Sequence, residues 1–196
     1  MPVPQYLGAG ELKIQNGQVT DITMHSGHYN PTIENVHKIL NFFAKQGVDI
    51  SKVQVHGFEK IPQLPCTYDT NNLPCFEAPM VVELVDKLAM ETNIKSLFIS
   101  LNNEIKGLRE DIDSKLKAIK KLKDGEIDYV RYNLQTMDAE LMWLQKDIQK
   151  ELAVNSLRNS RPTKENIIDL SDTADKLKEK FDAIKTKYNN SIKELL

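Results

Sequence analysis

The chain of 196 residues is long enough for one domain, or for a small domain followed by a helical extension. Charged residues make up 28% of it and aromatic residues only 7%, a composition typical of long helices with charged faces and not of a β-sandwich or barrel. The formal net charge is −2 with both signs mixed along the chain, so no overall basic field indicates nucleic acid and we expect no nucleic-acid partner.

In chain order, the first predicted element is a β-hairpin. Glu11 to Ile14 and Val19 to Met24 have the short patterns of two strands. Asn16 and Gly17 lie between them, and this pair is a strong hairpin signal because both residues tolerate positive φ. We therefore expect two antiparallel strands joined by a tight turn.

A helix and a further short strand are predicted next. Thr32 is a favourable N-cap, and Gly47 stands where a glycine ends a helix. Between them, apolar residues recur at helical spacing: Val36, Ile39, Leu40 and Phe43. Ile50 to Val55 then predicts a strand, so that residues 1–60 form a small α+β module of order β-β-α-β.

Residues 61–79 are rich in Pro, Asn and Thr and lack periodicity, which predicts a linker. Cys66 and Cys75 lie nine residues apart in this segment, a spacing that fits no CxxC metal pattern. Two reduced thiols are the favoured interpretation; a disulfide that closes the loop and metal ligation are the alternatives. We predict no metal site and no cofactor.

Residues 80–196 carry narrow apolar stripes with charged positions between them, which predicts a helical bundle or coiled coil. A short amphipathic helix begins after Pro79, and Thr92 and Asn93 are expected to interrupt it. Three longer stripes follow, each with apolar residues at steps of three and four. They run from Ile94 to Ile119, from Ile127 to Leu152 and from Ile167 to Leu195.

Two breaks separate the three stripes. Gly125 lies in the first break, where the heptad phase is lost, and Pro162 lies in the second. Because the three segments have similar lengths, we predict a mainly α protein with a C-terminal antiparallel three-helix bundle. The competing interpretation keeps residues 94–158 as one helix with a stutter at Gly125.

Large side chains beside the stripes are the candidates for binding a protein partner. Phe98, Met142 and Trp143 lie next to the stripe positions, and such residues dominate interface energies when they are exposed. Burial in the three-helix core and self-association through the stripes are the alternatives. The lysines of residues 115–123 indicate a solvated helix face, and we do not expect contact with a membrane surface.

The sequence holds no signal for membrane insertion. No segment approaches the roughly 18 apolar residues of a membrane span. The N-terminus has neither a basic segment nor a long apolar one. We expect a cytoplasmic protein, or one exported without a Sec signal and delivered into a host cell.

One short segment between the second strand and the first helix gathers reactive side chains. It consists of His25, Ser26, Gly27, His28, Tyr29 and Pro31. His can act as a base and Ser or Tyr as a nucleophile or acid, and the helix N-terminus can hold an anion. The favoured interpretation is a turn at Gly27 with local hydrogen bonds, and the role of the motif stays open.

Residues 8–55 resemble a small module seen in bacterial toxins and effectors and in plant calmodulin-binding proteins that carry an IQ motif. The resemblance rests on Ser26-Gly27-His28-Tyr29 with Pro31, and on Gly47-Val48-Asp49-Ile50-Ser51. It implies an effector-like or signalling context and assigns no catalytic residue. Ile148-Gln149 matches the first two residues of an IQ motif, but Ala153-Val154 occupies the positions where the motif has Arg-Gly. The sequence therefore gives only weak support for calmodulin as a partner.

Together these patterns favour a protein–protein interaction protein over an enzyme. We expect a secreted bacterial effector, with a role in virulence, that binds a host signalling or membrane-traffic protein through its helices. The alternative is a transferase or hydrolase whose site is built around the Ser26-Gly27-His28-Tyr29 motif.

Overall fold

A computed structural model describes residues 10–23, 31–56, 61, 63–120, 125–157 and 164–193. The described residues form five strands and four helices: β1 (Glu11–Gln15), β2 (Gln18–Thr23), α1 (Ile33–Lys45), β3 (Gln54–His56), β4 (Thr67–Tyr68), β5 (Pro74–Glu77), α2 (Ala78–Ile119), α3 (Gly125–Leu157) and α4 (Lys164–Lys193). The chain divides into two compact units, Met1–Ala89 and Met90–Leu196. A mainly α fold with a small N-terminal α+β module is confirmed.

The strands of the first unit form one sheet in the order β1-β2-β3-β5-β4. The β2 and β3 strands run parallel, and the other neighbouring pairs run antiparallel. Parallel neighbours need a long connection, and α1 lies in the connection between β2 and β3. As a result, the C-terminal ends of β2 and β3 lie next to each other at the same end of the sheet.

The predicted hairpin turn is confirmed. Asn16 has φ 51° and Gly17 has φ 78°, and Gln15 pairs with Gln18 across them. Two consecutive residues with positive φ match the right-handed twist of the flanking strands, which is why Asn-Gly is favoured here.

The ends of α1 also follow the sequence prediction. Thr32 is the N-cap residue, and its backbone N–H donates to Asn35 Oδ1 at 2.9 Å. Gly47 follows the C-terminal end with φ 83°, a left-handed conformation that glycine adopts without strain.

A row of apolar side chains crosses the sheet and forms the centre of the first core. Ile22, Val55 and Phe76 are paired across β2, β3 and β5, and all three are buried together with Val36 and Leu40 of α1. Since side chains alternate along a strand, the residues next to this row point to the other face of the sheet. That face carries Asp21, His56 and Cys75, as described below.

Two strands, β4 and β5, lie within residues 61–79, the segment predicted as a linker. These strands have two and four residues, so they are too short for an alternating pattern to show in the sequence.

The expected interruption at Thr92 and Asn93 is wrong, because α2 is continuous from Ala78 to Ile119. Thr and Asn lower helix stability by only tenths of a kcal/mol in a helix interior. Burial of Ile94 directly after them, in the core of the second unit, outweighs this small penalty.

Side-chain contacts fix the directions of the three long helices. Asn102 Oδ1 of α2 accepts a hydrogen bond from Gln145 Nε2 of α3 at 3.3 Å. Further along α2, Arg109 Nε donates to Asp138 Oδ1 of α3 at 2.8 Å. The partner on α3 thus moves towards its N-terminus as α2 proceeds. Within the second unit, α2 and α3 are therefore antiparallel, and α2 ends at Ile119 before α3 begins at Gly125. The interpretation of residues 94–158 as one helix is wrong.

The third helix, α4, completes the bundle. Lys187 Nζ lies 3.7 Å from Glu140 of α3, and Lys185 Nζ lies 3.4 Å from Glu104 of α2. Leu144 and Asp147 share a groove with Ile184 and Lys180, so α3 and α4 are antiparallel as well.

The bundle core contains the predicted stripes. Its buried residues are Ile94, Phe98, Leu101, Ile105, Ile112, Ile119, Val130, Leu134, Met137, Leu141, Leu144, Ile148, Ile167, Leu170, Ala174, Leu177, Phe181, Ile184 and Tyr188. None of the described helices is long and apolar enough to cross a membrane.

Candidate functional site

The motif His25-Ser26-Gly27-His28-Tyr29 lies outside the described residues, so its role stays a prediction. Pro31 is described and is half-buried just before α1. In the sequence the motif begins two residues after Thr23, the last residue of β2.

Phe98 does not lie beside the stripe, contrary to expectation. Its side chain is 0% exposed and belongs to the bundle core. Ile94, Phe98 and Leu101 are separated by steps of four and three residues, so Phe98 itself occupies a stripe position. Leu97 is only partly buried, at the margin of the core. In this fold Phe98 contributes to stability and offers no side chain to a partner.

Trp143 lies on the surface of α3 and not in the three-helix core, which was the alternative. Its side chain is 62% exposed, and Lys146 Nζ lies 4.7 Å from the ring centroid. Met142 is half-buried, and it is not among the residues that line the groove beside Trp143. The two residues therefore do not form one patch.

The groove below Trp143 runs between α3 and α4 and has a volume of about 380 Å³. Its apolar lining comes from Trp143 and Leu144 on α3 and from Ala183 and Ile184 on α4. The charged side chains along its margins have opposite signs on the two helices. They are Glu140 and Asp147 on α3, and Lys180 and Lys187 on α4.

A second groove of about 340 Å³ continues along the same two helices towards the N-terminus of α3. Tyr129 and Tyr132 line it and are 64% and 67% exposed. Glu140 and Lys187 line both grooves and form an ion pair between α3 and α4 where the grooves meet. We name the surface from Tyr129 to Asp147, with its two grooves, the aromatic furrow.

The two tyrosines were missed in the sequence, although a signal was present. Tyr129, Tyr132 and Trp143 follow helical spacing along a line that adjoins the α3 stripe. The prediction named Phe98, Met142 and Trp143 beside the stripes and did not consider the tyrosines.

A second candidate site lies in the first unit, on the face of the sheet opposite the apolar row. His56 Nε2 lies 2.8 Å from Asp21 Oδ1, and His56 Nδ1 lies 3.0 Å from Cys75 Sγ. The strands place these groups, because His56 pairs with Cys75 across β3 and β5 and with Thr23 across β2 and β3. We name Asp21, His56, Asp69 and Cys75 the polar cluster.

Asp69 joins the cluster from the turn between β4 and β5. Its Oδ1 accepts the backbone N–H groups of Asn71 and Leu73, both at 2.8 Å, and its Oδ2 lies 3.5 Å from His56 Nδ1. The hydrogen bond from the Leu73 N–H is the largest reason why the pKa of Asp69 lies below its usual value.

Charges around the cluster favour an ionised Asp21 and a protonated thiol. Partial burial of Asp21 opposes ionisation, but hydrogen bonds from Thr20 and His56 and the nearby Lys13 hold its pKa below the usual value. Burial raises the pKa of the Cys75 thiol, and the Asp69 and Asp21 carboxylates raise it further.

The sequence did not predict this cluster. Asp21 and His56 are 35 residues apart and come together only because β2 and β3 pair in parallel. Both cysteines are free thiols, and Cys66 adjoins the apolar core while Cys75 contacts His56. Among the described residues, no group of three or more His, Cys, Asp and Glu side chains is arranged to hold a metal ion.

Comparison with known proteins finds one local likeness. No family model matches the chain, and no solved structure matches it. A segment of 49 residues is 41% identical to the IQ domain-containing protein IQM2 of Arabidopsis thaliana. That segment is 25% of this chain and 8% of the relative, so the likeness concerns a small part of that protein.

Proposed function

We propose that this protein binds a partner protein through the aromatic furrow of its helical bundle. The observation that carries the proposal is the alignment of three exposed aromatic side chains, Tyr129, Tyr132 and Trp143, along grooves between α3 and α4. Trp and Tyr are the residue types most enriched among side chains that dominate binding energy. A line of them over an apolar floor is typical of an interaction surface.

The furrow fits one amphipathic helix of the partner. From Tyr129 to Asp147 the surface extends about 27 Å, which corresponds to five turns of helix. Such a helix would complete a four-helix arrangement and place its apolar stripe on Leu144, Ile184 and the aromatic rings.

The margins of the furrow define the charges of this partner helix. Glu140 and Asp147 lie on the α3 side, and Lys180 and Lys187 on the α4 side. Because Glu140 and Lys187 already pair with each other, Asp147 and Lys180 set the charges that the partner helix must complement. A complementary helix carries basic residues on the edge that faces α3 and acidic residues on the edge that faces α4. Charge complementarity of this kind selects the partner and its direction more than it adds affinity.

The identity of the partner rests on the resemblance of residues 8–55 to the module of toxins and effectors. On that basis the protein is a secreted bacterial effector that binds a host signalling or membrane-traffic protein. The likeness to an IQ domain-containing protein supports a binding role. Calmodulin is therefore one of the candidate partners whose binding we would measure. Ile148, the first residue of the IQ echo, is 0% exposed, so the folded bundle does not offer it to calmodulin.

The test is affinity capture from a eukaryotic lysate, followed by binding measurements with each captured protein after purification. The bait is the full chain, compared with Tyr132→Ala combined with Trp143→Ala. We expect the variant to lose at least tenfold in affinity for the specific partner, which is about 1.4 kcal/mol or more. A synthetic helix from that partner should compete for the furrow.

Matched controls remove exposed apolar side chains elsewhere in the bundle. Ile99→Ala and Ile168→Ala remove such side chains from α2 and α4, and neither residue lines the furrow. Both controls, and Met142→Ala, should bind as the wild type does. Equal loss of affinity in the controls, or no loss in the furrow variant, would show that the bundle binds its partner elsewhere.

Two further measurements test the other partners. Binding of purified calmodulin is measured with and without Ca²⁺, and self-association is measured by sedimentation.

A further inference from the structure

The sheet of the first unit has one long, exposed edge, which is β1. All five residues of β1 are exposed, whereas β4, the strand at the other edge, has only two residues. Among the described residues, no further strand pairs with the outer side of β1. Proteins commonly protect such an edge, because its unpaired N–H and C=O groups can hydrogen-bond to a strand of another chain.

The backbone of β1 presents hydrogen-bonding groups to the outside. Thr20 Oγ1 donates to the carbonyl oxygen of Lys13 at 3.3 Å, so this carbonyl faces β2. Successive residues of an antiparallel strand direct their N–H and C=O groups to alternate sides. The N–H and C=O groups of Leu12 and Ile14 therefore face away from β2, where an added strand would meet them.

The apolar row of the sheet continues into β1 and stops there half covered. Leu12 pairs with Ile22, the first residue of the buried row, and paired residues lie on the same face of a sheet. Ile22 is 2% exposed, but Leu12 is 47% exposed, and Ile14 on the same face is 62% exposed. A strand beside β1 with an apolar residue opposite Leu12 would extend the row and cover this leucine.

The other face of β1 carries one charge of each sign, on Glu11 and Lys13. If two copies of β1 pair antiparallel with Leu12 opposite Leu12, Glu11 of each copy faces Lys13 of the other. Lys13 Nζ already lies 3.8 Å from Asp21 Oδ2, so charges of alternating sign would then cross three adjacent strands. Opposite charges across a strand pair stabilise it, and like charges destabilise it. Pairing centred on Glu11 or on Lys13 instead brings two like charges together.

We propose that two copies of this chain associate through β1, which pairs antiparallel with itself about Leu12 and joins the two sheets into one. At the centre, the Leu12 N–H of each copy donates to the Leu12 carbonyl of the other. Both copies use the same edge, so the assembly closes as a dimer. The interface is small, which makes the dimer weak and dependent on concentration. The proposal goes beyond partner binding, since β1 belongs to the first unit and the aromatic furrow to the second.

Sedimentation equilibrium of the full chain, at concentrations up to the millimolar range, should show a monomer–dimer equilibrium. Lys13→Glu places like charges opposite each other at both charge pairs of the dimer, and Glu11→Lys does the same with the opposite sign. Each variant alone should have a dissociation constant raised by about tenfold or more. An equimolar mixture of the two variants restores opposite charges at both pairs. The mixture should therefore form a heterodimer about as tightly as the wild type dimerises, a recovery that a folding defect would not show.

A second variant tests the centre of the interface. Leu12→Lys places two like charges opposite each other and should weaken dimerisation by about tenfold or more. Tyr132→Ala combined with Trp143→Ala changes only the furrow, so this variant should dimerise as the wild type does. Thermal unfolding shows whether each variant is folded.

Three results would overturn the proposal. The first is a wild type that stays monomeric throughout, which would leave the β1 edge to a strand of another protein. The second is a mixture of the two charge variants that associates no more tightly than either variant alone. The third is a folded Leu12→Lys variant that dimerises as tightly as the wild type.

Discussion

The phenol of Tyr188 on α4 donates a hydrogen bond to the Asp111 carboxylate on α2. Tyr188 is buried in the bundle core, while Asp111 lies at the surface. Burial raises the pKa of Tyr188 well above its usual value, and the hydrogen bond to Asp111 and the charge of that carboxylate raise it further.

This contact predicts a loss of stability in alkali. In the unfolded chain the Tyr188 phenol loses its proton at about pH 10, whereas in the folded protein the phenol keeps its proton at that pH. The folded state therefore binds more protons, and the free energy of unfolding falls as pH rises above that value. Urea denaturation of the wild type should show this fall, and Tyr188→Phe should reduce it. Tyr132→Phe, a change at an exposed ring, is the matched control; identical pH curves for wild type and Tyr188→Phe would contradict the prediction.

Truncation to Ala should change the free energy of unfolding much more at Phe98 than at Trp143. Phe98→Ala removes a fully buried ring and should lower the free energy of unfolding by about 3–5 kcal/mol. Trp143→Ala removes an exposed ring and should change it by about 0.5 kcal/mol. Chemical denaturation measures both, and a large loss for Trp143→Ala would mean that this ring supports the bundle.

Two glycines provide a matched pair for backbone effects. Gly107 lies inside α2, and a Cβ there meets no atom within 4 Å, so Gly107→Ala should stabilise the second unit by about 1 kcal/mol. Gly47 has φ 83°, so Gly47→Ala should destabilise the first unit by about 1 kcal/mol despite equally open space. Melting temperatures that move in the same direction would contradict the backbone argument.

The second unit should fold without the first. Its core draws on residues from Ile94 onwards and includes none from the sheet. A fragment of residues 90–196 should therefore show strong helical circular dichroism and a cooperative thermal transition. Residues 79–89 add apolar side chains that belong to the other core, so a fragment of 79–196 should melt at a similar temperature. A gradual melt of both fragments would show that the stripes need further contacts.

The histidines of the motif should not affect partner capture. Residues 25–29 lie in another part of the chain than the furrow, so His25→Ala with His28→Ala should capture the partner as the wild type does. Trp143→Ala should weaken capture in the same assay. If the histidine changes abolish capture while Trp143→Ala does nothing, the motif and not the furrow is the binding site.

Local patterns were sufficient for much of the fold. Asn16-Gly17 predicted the turn because positive φ is a property of those two residues themselves. Thr32 and Gly47 predicted the ends of α1 for the same local reason, and the stripes predicted three helices because burial repeats with the helical period. Strands β4 and β5 escaped prediction because they are too short to show a period.

The sequence alone determined the first hairpin, the ends of α1 and the three helical stripes, since capping, turn geometry and periodicity act over a few residues. Only the tertiary structure decided which large side chains are exposed: Phe98 enters the core and Trp143 does not, because a helix position a single residue away is rotated by about 100°. It also decided that Asp21, His56 and Cys75 meet, because strand register joins residues that are far apart along the chain. Such pairing depends on the whole sheet, and no local pattern encodes it.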